Sequence, residues 1–195
     1  MDIAADPTLD IAVPGTKADL PAALESLETG FLPVPGLDPK SPTTSFKVRG
    51  QSLRVDLLTP SVGTQSRPVH MPRFSAAAQP LRFLDYLIES PVRAAVVNGG
   101  AVAVSVPDAA RFALHKLMIA GERPAAMQSK REKDLLQAAQ VLEVLNEDRP
   151  GDIALAWEAL VGRGKSWADR VIKSLPALER VSPVAAQSVR AALGS

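Results

Sequence analysis

The chain has 195 residues, enough to bury a sizeable core and to form one domain or two small ones. It contains no cysteine, which excludes a disulfide framework, cysteine-ligated zinc and thiol catalysis, and which agrees with a reducing compartment. Its formal net charge of +1 provides no overall field that would attract nucleic acid or an anionic membrane.

The amino-terminal residues predict a short strand, a turn and a second short strand. In MDIAADPTLDIAV, two apolar pieces surround the breaker DPT. The first ten residues carry Asp2, Asp6 and Asp10, where a signal peptide would carry positive charge. No apolar run approaches the roughly 20 residues that span a bilayer. We therefore expect a cytoplasmic protein that does not use a membrane.

The next elements predicted are a helix, a hairpin and a second helix. Over 18–28 the leucines and alanines follow a period of 3.6 residues, and Gly30 is placed to end that helix. The stretch SFKVRGQSLRVDLL predicts an antiparallel hairpin that turns near Gly50. A proline-dotted connection then leads to a helix predicted over 80–89, with an apolar stripe that comprises Leu81, Leu84, Leu87 and Ile88.

The second half of the chain begins with a hairpin and continues as helices. VRAAVV and AVAVSV flank NGG, which is the strongest hairpin signal in the sequence. Helices are predicted over about 108–120, 126–147, 152–162, 166–175 and 183–193. A strand-rich first half before a helical second half predicts an α+β fold, with residues 1–106 forming a sheet region and residues 107–195 a helical region.

Asp56 interrupts an apolar stretch in LRVDLL. Because side chains alternate between the faces of a strand, Asp56 points away from the side that carries Val55 and Leu57. Two interpretations are open. Asp56 is a ligand of a divalent cation, or it forms an ion pair with Arg54 or, across the hairpin, with Lys47.

Other familiar chemistries are excluded by the motifs that the chain lacks. The two histidines, His70 and His115, do not form a metal-ligand spacing, and either could be a surface residue. There is no nucleophile elbow and no P-loop. What remains is carboxylates on strands and bases on helices, the combination that two-metal phosphoryl transfer needs. Residues 1–30 are acidic and residues 111–133 are basic, which describes either two walls of one site or two solvated faces.

The order and spacing of four blocks resemble a bacterial family of nucleotidyltransferase-fold proteins in the polymerase-β-type superfamily. These blocks are PVPGLDPKSPTTSFKVRGQSLRVDLLTP, AAQPLRFLDYLIESPV, VPDAARFALHKLMIAGER and KREKDLLQAAQVLEVLNEDRPGD. The resemblance runs from residue 1 to about residue 160. It implies a mixed sheet with three carboxylates, two of them in a D-h-D pair on one strand and the third on a neighbouring strand.

The resemblance also implies a set of site residues and a reaction. Asp56 matches the third acid and Asp2 the second member of the pair, so both are implied as catalytic metal ligands. Lys116, Lys130 and Lys133 match nucleotide-binding positions. The implied cofactor is Mg²⁺ in a two-ion site. The implied reaction moves a nucleoside monophosphate from an NTP onto a hydroxyl of RNA, protein or a small molecule.

The sequence departs from the family pattern at its amino terminus. The first acid of the pair and an upstream Gly-Gly turn would precede Met1; an alternative alignment makes Asp10 the first acid but places Ala12 at the second position. On either alignment one carboxylate is missing, and we expect this chain by itself to be poorly active or inactive. The alternative function is non-catalytic: a binding or regulatory protein on the same fold, such as one component of a defence or toxin–antitoxin pair with a protein partner.

Overall fold

The computed structural model describes residues 2–4, 19–27, 29–36, 38, 40–61, 63, 66–97 and 99–194. The chain divides into two compact units, residues 1–85 and residues 86–195. The hairpin at 92–106 therefore belongs to the second unit, together with the helices. The predicted domain boundary after residue 106 stays a prediction.

The first unit is built on a mixed β-sheet. In the described residues six strands pair in the order β2-β3-β4-β6-β5, and β1 pairs with β4. β4 runs antiparallel to β3 and parallel to β1 and β6, so it is the central strand. The strands are β1 (Asp2–Ala4), β2 (Phe31–Pro33), β3 (Ser45–Val48), β4 (Arg54–Pro60), β5 (Val69–Met71) and β6 (Ala76–Leu81).

The predicted hairpin is confirmed and gives the sheet its apolar face. Gly50 turns the chain with a φ of +76°, a left-handed conformation that glycine adopts without steric cost. Phe46 then lies opposite Val55, and both side chains are buried. The short helix α1 (Leu20–Glu25) packs Leu24 against them. This helix is shorter than the 18–28 predicted, and the second strand predicted near the amino terminus lies outside the described residues.

The helix predicted over 80–89 is wrong in its first part. β6 continues to Leu81 and pairs with β4 and β5, and α2 (Leu84–Ile88) begins only afterwards. Leu84 is buried, whereas Leu81 is exposed. The strand was missed because it begins with three alanines, which have weak strand propensity, although Ala76–Ala78 are all buried.

The second unit is a helical bundle that carries a two-stranded hairpin, β7 (Val92–Val97) with β8 (Ala101–Val106). Its helices are α3 (Ala109–Glu122), α4 (Gln128–Asp148), α5 (Pro150–Val161), α6 (Lys165–Val181) and α7 (Pro183–Leu193). α3 packs against α4, α5 and α6, and Leu114, Leu117 and Met118 are completely buried there. The α+β class is thus confirmed, with a helical second half. No helix among the described residues combines the length and the apolar character needed to cross a membrane.

Candidate functional site

Asp56 lies in the middle of the central strand, between two polar neighbours. In the register of the sheet it is opposite Asp2 of the parallel strand β1 and opposite Ser45 of the antiparallel strand β3. A residue of a central strand pairs with one residue of the strand on each side. Asp2 and Ser45 therefore flank Asp56 on opposite sides. Adjacent strands are about 4.8 Å apart. The fold therefore brings two aspartate positions that are distant in sequence opposite each other on neighbouring strands.

The carboxylate of Asp56 is held by two donors. Arg54 Nε donates to Asp56 Oδ1 at 2.7 Å, and the Ser45 hydroxyl donates to the same oxygen. Arg54 Nη2 also donates to Ser45 Oγ at 2.8 Å, which closes a triangle of three side chains. The side chain of Asp56 is 25% exposed. The ion pair with Arg54, one of the two roles open from the sequence, is present.

This arrangement leaves one carboxylate oxygen for a metal ion. Both donors bind Oδ1, and within the described part of the chain Oδ2 receives no hydrogen bond. Carboxylate oxygens are the ligands that Mg²⁺ takes in proteins, and the register supplies a second carboxylate position at residue 2. The residue types at positions 2 and 56 are therefore of the kind that a divalent cation takes. Among the residues with described side chains, no group of three or more acidic or histidine residues could hold a metal ion.

The predicted phosphate-binding lysines lie in the second unit and differ in their surroundings. Lys116 Nζ on α3 is 3.1 Å from Asp134 Oδ1, and Arg123 Nε is 2.6 Å from Asp134 Oδ2. Asp134 is only 4% exposed, so this acid on α4 uses both cations to compensate its burial. Lys130 and Lys133 are exposed near the start of α4.

The structure thus pairs some of the predicted site residues and leaves others untested. Asp2 and Asp56 lie opposite each other in the first unit. Lys116 contacts Asp134 in the second unit, where Lys130 and Lys133 also lie. The convergence of the lysines with the carboxylates, and the roles of all five residues, stay predictions. Asp10, the alternative acid, lies outside the described residues.

The two histidines have contrasting environments. His70 on β5 is exposed, whereas His115 on α3 is 5% exposed and is not the surface residue considered from the sequence. Among the described residues neither ring nitrogen of His115 has a hydrogen-bond partner. Burial lowers the pKa of His115 to about 4, with Lys116 acting in the same direction and Asp134 opposing it. The ring is therefore neutral at physiological pH and packs as part of the core.

Ser45 is the site residue that sequence reasoning missed. It is the first residue of the hairpin, directly after a polar stretch, and belongs to no catalytic or metal-binding motif. The signal was nevertheless available, because a hairpin that turns at Gly50 and pairs Phe46 with Val55 must also pair Ser45 with Asp56.

Comparison with known proteins identifies the family of the chain. A family model described as nucleotidyltransferase matches residues 1–162. Since the match covers most of the chain, the protein belongs to this nucleotidyltransferase family. No curated protein and no solved structure matches the chain.

Proposed function

We propose that this protein transfers a nucleoside monophosphate from an NTP to a hydroxyl acceptor with release of pyrophosphate, and that Asp2 and Asp56 bind Mg²⁺ for this reaction. Family membership supports the class of reaction. The observation that carries the metal assignment is the parallel register of β1 and β4, which sets residue 2 opposite residue 56. Carboxylate oxygens are the ligands that Mg²⁺ takes in proteins, so aspartates at both positions could bind one ion.

Each residue has a defined part in this proposal. Asp2 and Asp56 of the first unit supply oxygen ligands of the metal ion, whereas phosphate binding by the exposed Lys130 and Lys133 of the second unit stays a prediction. Magnesium held there would neutralise the triphosphate and align the reacting phosphoryl group with the attacking hydroxyl. Lys116 is a weaker candidate for phosphate binding, because Asp134 already engages its ammonium group.

A second candidate function is the non-catalytic one: NTP binding on the same fold for regulation. The observation that favours it is the Arg54 guanidinium, which already neutralises Asp56 at 2.7 Å and so reduces its attraction for a second cation. In this case Asp56 is a structural partner of Arg54 and no nucleotidyl group is transferred.

Calorimetric titration with each of the four NTPs, with and without Mg²⁺, tests the proposal. We expect Asp56→Asn to abolish magnesium-dependent NTP binding, with an unchanged circular dichroism spectrum, because the residue lies outside the apolar core. Glu25→Gln is the matched control: Glu25 is an exposed acid in the same unit, and this variant should bind as the wild type does. Unchanged binding in Asp56→Asn would remove this residue from the site.

Label transfer separates the two candidate functions. NTP labelled at the α-phosphate is incubated with the protein and with RNA, protein or small-molecule fractions. Incorporation of label that Asp56→Asn abolishes supports the transferase. Tight magnesium-dependent binding with no incorporation into any fraction supports the regulatory alternative.

A further inference from the structure

We propose that Ser45 and Arg54 are positioning residues, which fix the Asp56 carboxylate so that Oδ2 is the oxygen offered to a divalent cation. This inference rests on the proposed function and assigns two residues to it. The three side chains form a closed triangle of hydrogen bonds.

Ser45 is the fixed corner of the triangle. It is 7% exposed and lies directly opposite Asp56 in the register of β3 and β4. A serine hydroxyl has one proton and two lone pairs. The proton is donated to Asp56 Oδ1, and a lone pair accepts from Arg54 Nη2. The hydroxyl therefore both donates and accepts a hydrogen bond within the triangle, and these two bonds fix the direction of its O–H bond.

Arg54 binds both Asp56 and Ser45, through two different nitrogens of its planar guanidinium group. Nε contacts Asp56 Oδ1 at 2.7 Å and Nη2 contacts Ser45 Oγ at 2.8 Å. The planar guanidinium holds these two directions at a constant angle, which the single nitrogen of lysine does not reproduce. Its side chain is 51% exposed, and exposed ion pairs contribute little to stability. A contribution to the folding stability of the chain therefore does not by itself explain why Arg54 adopts this geometry.

Positioning and simple electrostatics predict opposite effects on metal binding. Orienting a ligand in advance removes a cost that binding would otherwise incur, and groups that orient metal ligands typically change the affinity by about 10–100-fold. The positive charge of Arg54 beside Asp56 acts in the other direction, since it repels a second cation. If Arg54 acted only through its charge, its removal would tighten metal binding.

The experiment is a Mn²⁺ titration of the full chain at saturating NTP, with free Mn²⁺ measured by electron paramagnetic resonance. We expect Ser45→Ala and Arg54→Lys each to weaken Mn²⁺ binding by about tenfold or more. Ser45→Thr keeps the hydroxyl and should restore affinity to near that of the wild type. Ser52→Ala, at an exposed serine in the turn of the same hairpin, should bind as the wild type does.

Two results would overturn the inference. One is wild-type affinity in both Ser45→Ala and Arg54→Lys. The other is wild-type affinity in Arg54→Lys together with tighter binding in Arg54→Gln, which would assign Arg54 a charge effect only. Arg54→Lys changes a half-exposed side chain, so the test does not depend on whether the Ser45 variants fold.

Asp56→Asn separates this inference from the proposed function. If the wild type binds Mn²⁺ no better than Asp56→Asn, the metal assignment itself fails, and the positioning role with it. If Asp56→Asn loses the ion while the Ser45 and Arg54 variants keep it, the positioning role alone fails.

Discussion

Asp134 combines a charged side chain with almost complete burial, and its two cationic partners explain why this is tolerated. A buried carboxylate is costly to desolvate unless ion pairs and hydrogen bonds compensate it. Lys116 and Arg123 both come from outside α4 and bind its two oxygens separately. The cluster therefore ties α4 to α3 and to the residue that follows α3.

We expect Asp134→Asn to lower the free energy of unfolding of the second unit by about 2 kcal/mol, because two cations would then face each other without an anion. Urea unfolding followed by tryptophan fluorescence measures this, since both tryptophans, Trp157 and Trp167, belong to the second unit. Asp148→Asn, at an exposed acid on the same helix, should change stability by less than about 0.5 kcal/mol. A loss in Asp134→Asn no larger than in this control would contradict the structural role.

His115 makes the stability of the second unit depend on pH. Its pKa is about 4 in the folded chain, mainly because of burial, and about 6.5 when unfolded. Below pH 6.5 the unfolded chain therefore binds the proton first, so the full stability present above pH 6.5 declines as the pH falls towards 4. The decline attributable to this residue is on the order of 3 kcal/mol.

Substitution of His115 tests this contribution. In urea unfolding across pH 4–7, the variant His115→Leu should lack the part of the decline that the wild type owes to this residue, whereas His70→Gln, at an exposed histidine, should keep it. Parallel profiles for the wild type and His115→Leu would show that the unfolding transition is not linked to His115.

Among the elements, helices α3 and α6 approach each other closely at Gly121. A Cβ at this position would lie 2.8 Å from Ser174 Oγ and 3.0 Å from the Arg170 carbonyl oxygen. Ser174 is itself fixed, because its hydroxyl donates to the Leu117 carbonyl oxygen at 2.7 Å. The glycine is therefore required by the packing of two helices and not by its backbone angles.

We expect Gly121→Ala to destabilise the second unit by about 1–2 kcal/mol, since the overpacking exceeds the gain in helix propensity. Gly151→Ala in α5 is the control, because a Cβ there meets nothing within 4 Å. Thermal unfolding of both variants measures the difference. Equal melting temperatures for Gly121→Ala and the wild type would contradict the close approach of α3 and α6.

The elements differ in how well sequence predicted them. Four of the five helices described for the second unit were predicted to within about two residues of their bounds, and Leu135, Ala138, Leu142 and Leu145 of α4 are all buried as expected. The fifth, α6, continues to Val181, whereas the prediction ended at 175, just before Pro176. Strands β2 and β5 have three residues each, too few to show the two-residue alternation of a strand. The alanines of β6 gave no signal for a strand. Short strands are specified by their partners across the sheet, which local sequence does not contain.

For the whole molecule, the sheet unit carries the carboxylate positions and the helical unit carries the predicted lysines. Resemblance named Asp2 and Asp56 together, but alternation along one strand could only orient Asp56. Asp2 and Asp56 lie opposite each other because β1 pairs with β4, and these two strands are far apart in the chain. Pairing of this kind is set by the tertiary fold, which is why the resemblance could name these two residues but not their register.

The central claim is that Asp2 and Asp56 together hold a divalent cation for the NTP. The most direct measurement is a crystal structure of the full chain with Mn²⁺ and a non-hydrolysable NTP, in which anomalous scattering locates the metal. We predict a Mn²⁺ peak at about 2.1 Å from Asp56 Oδ2 and from a carboxylate oxygen of Asp2, and in contact with the phosphates. A nucleotide bound with its metal elsewhere, while Asp56 contacts only Arg54 and Ser45, would contradict the claim.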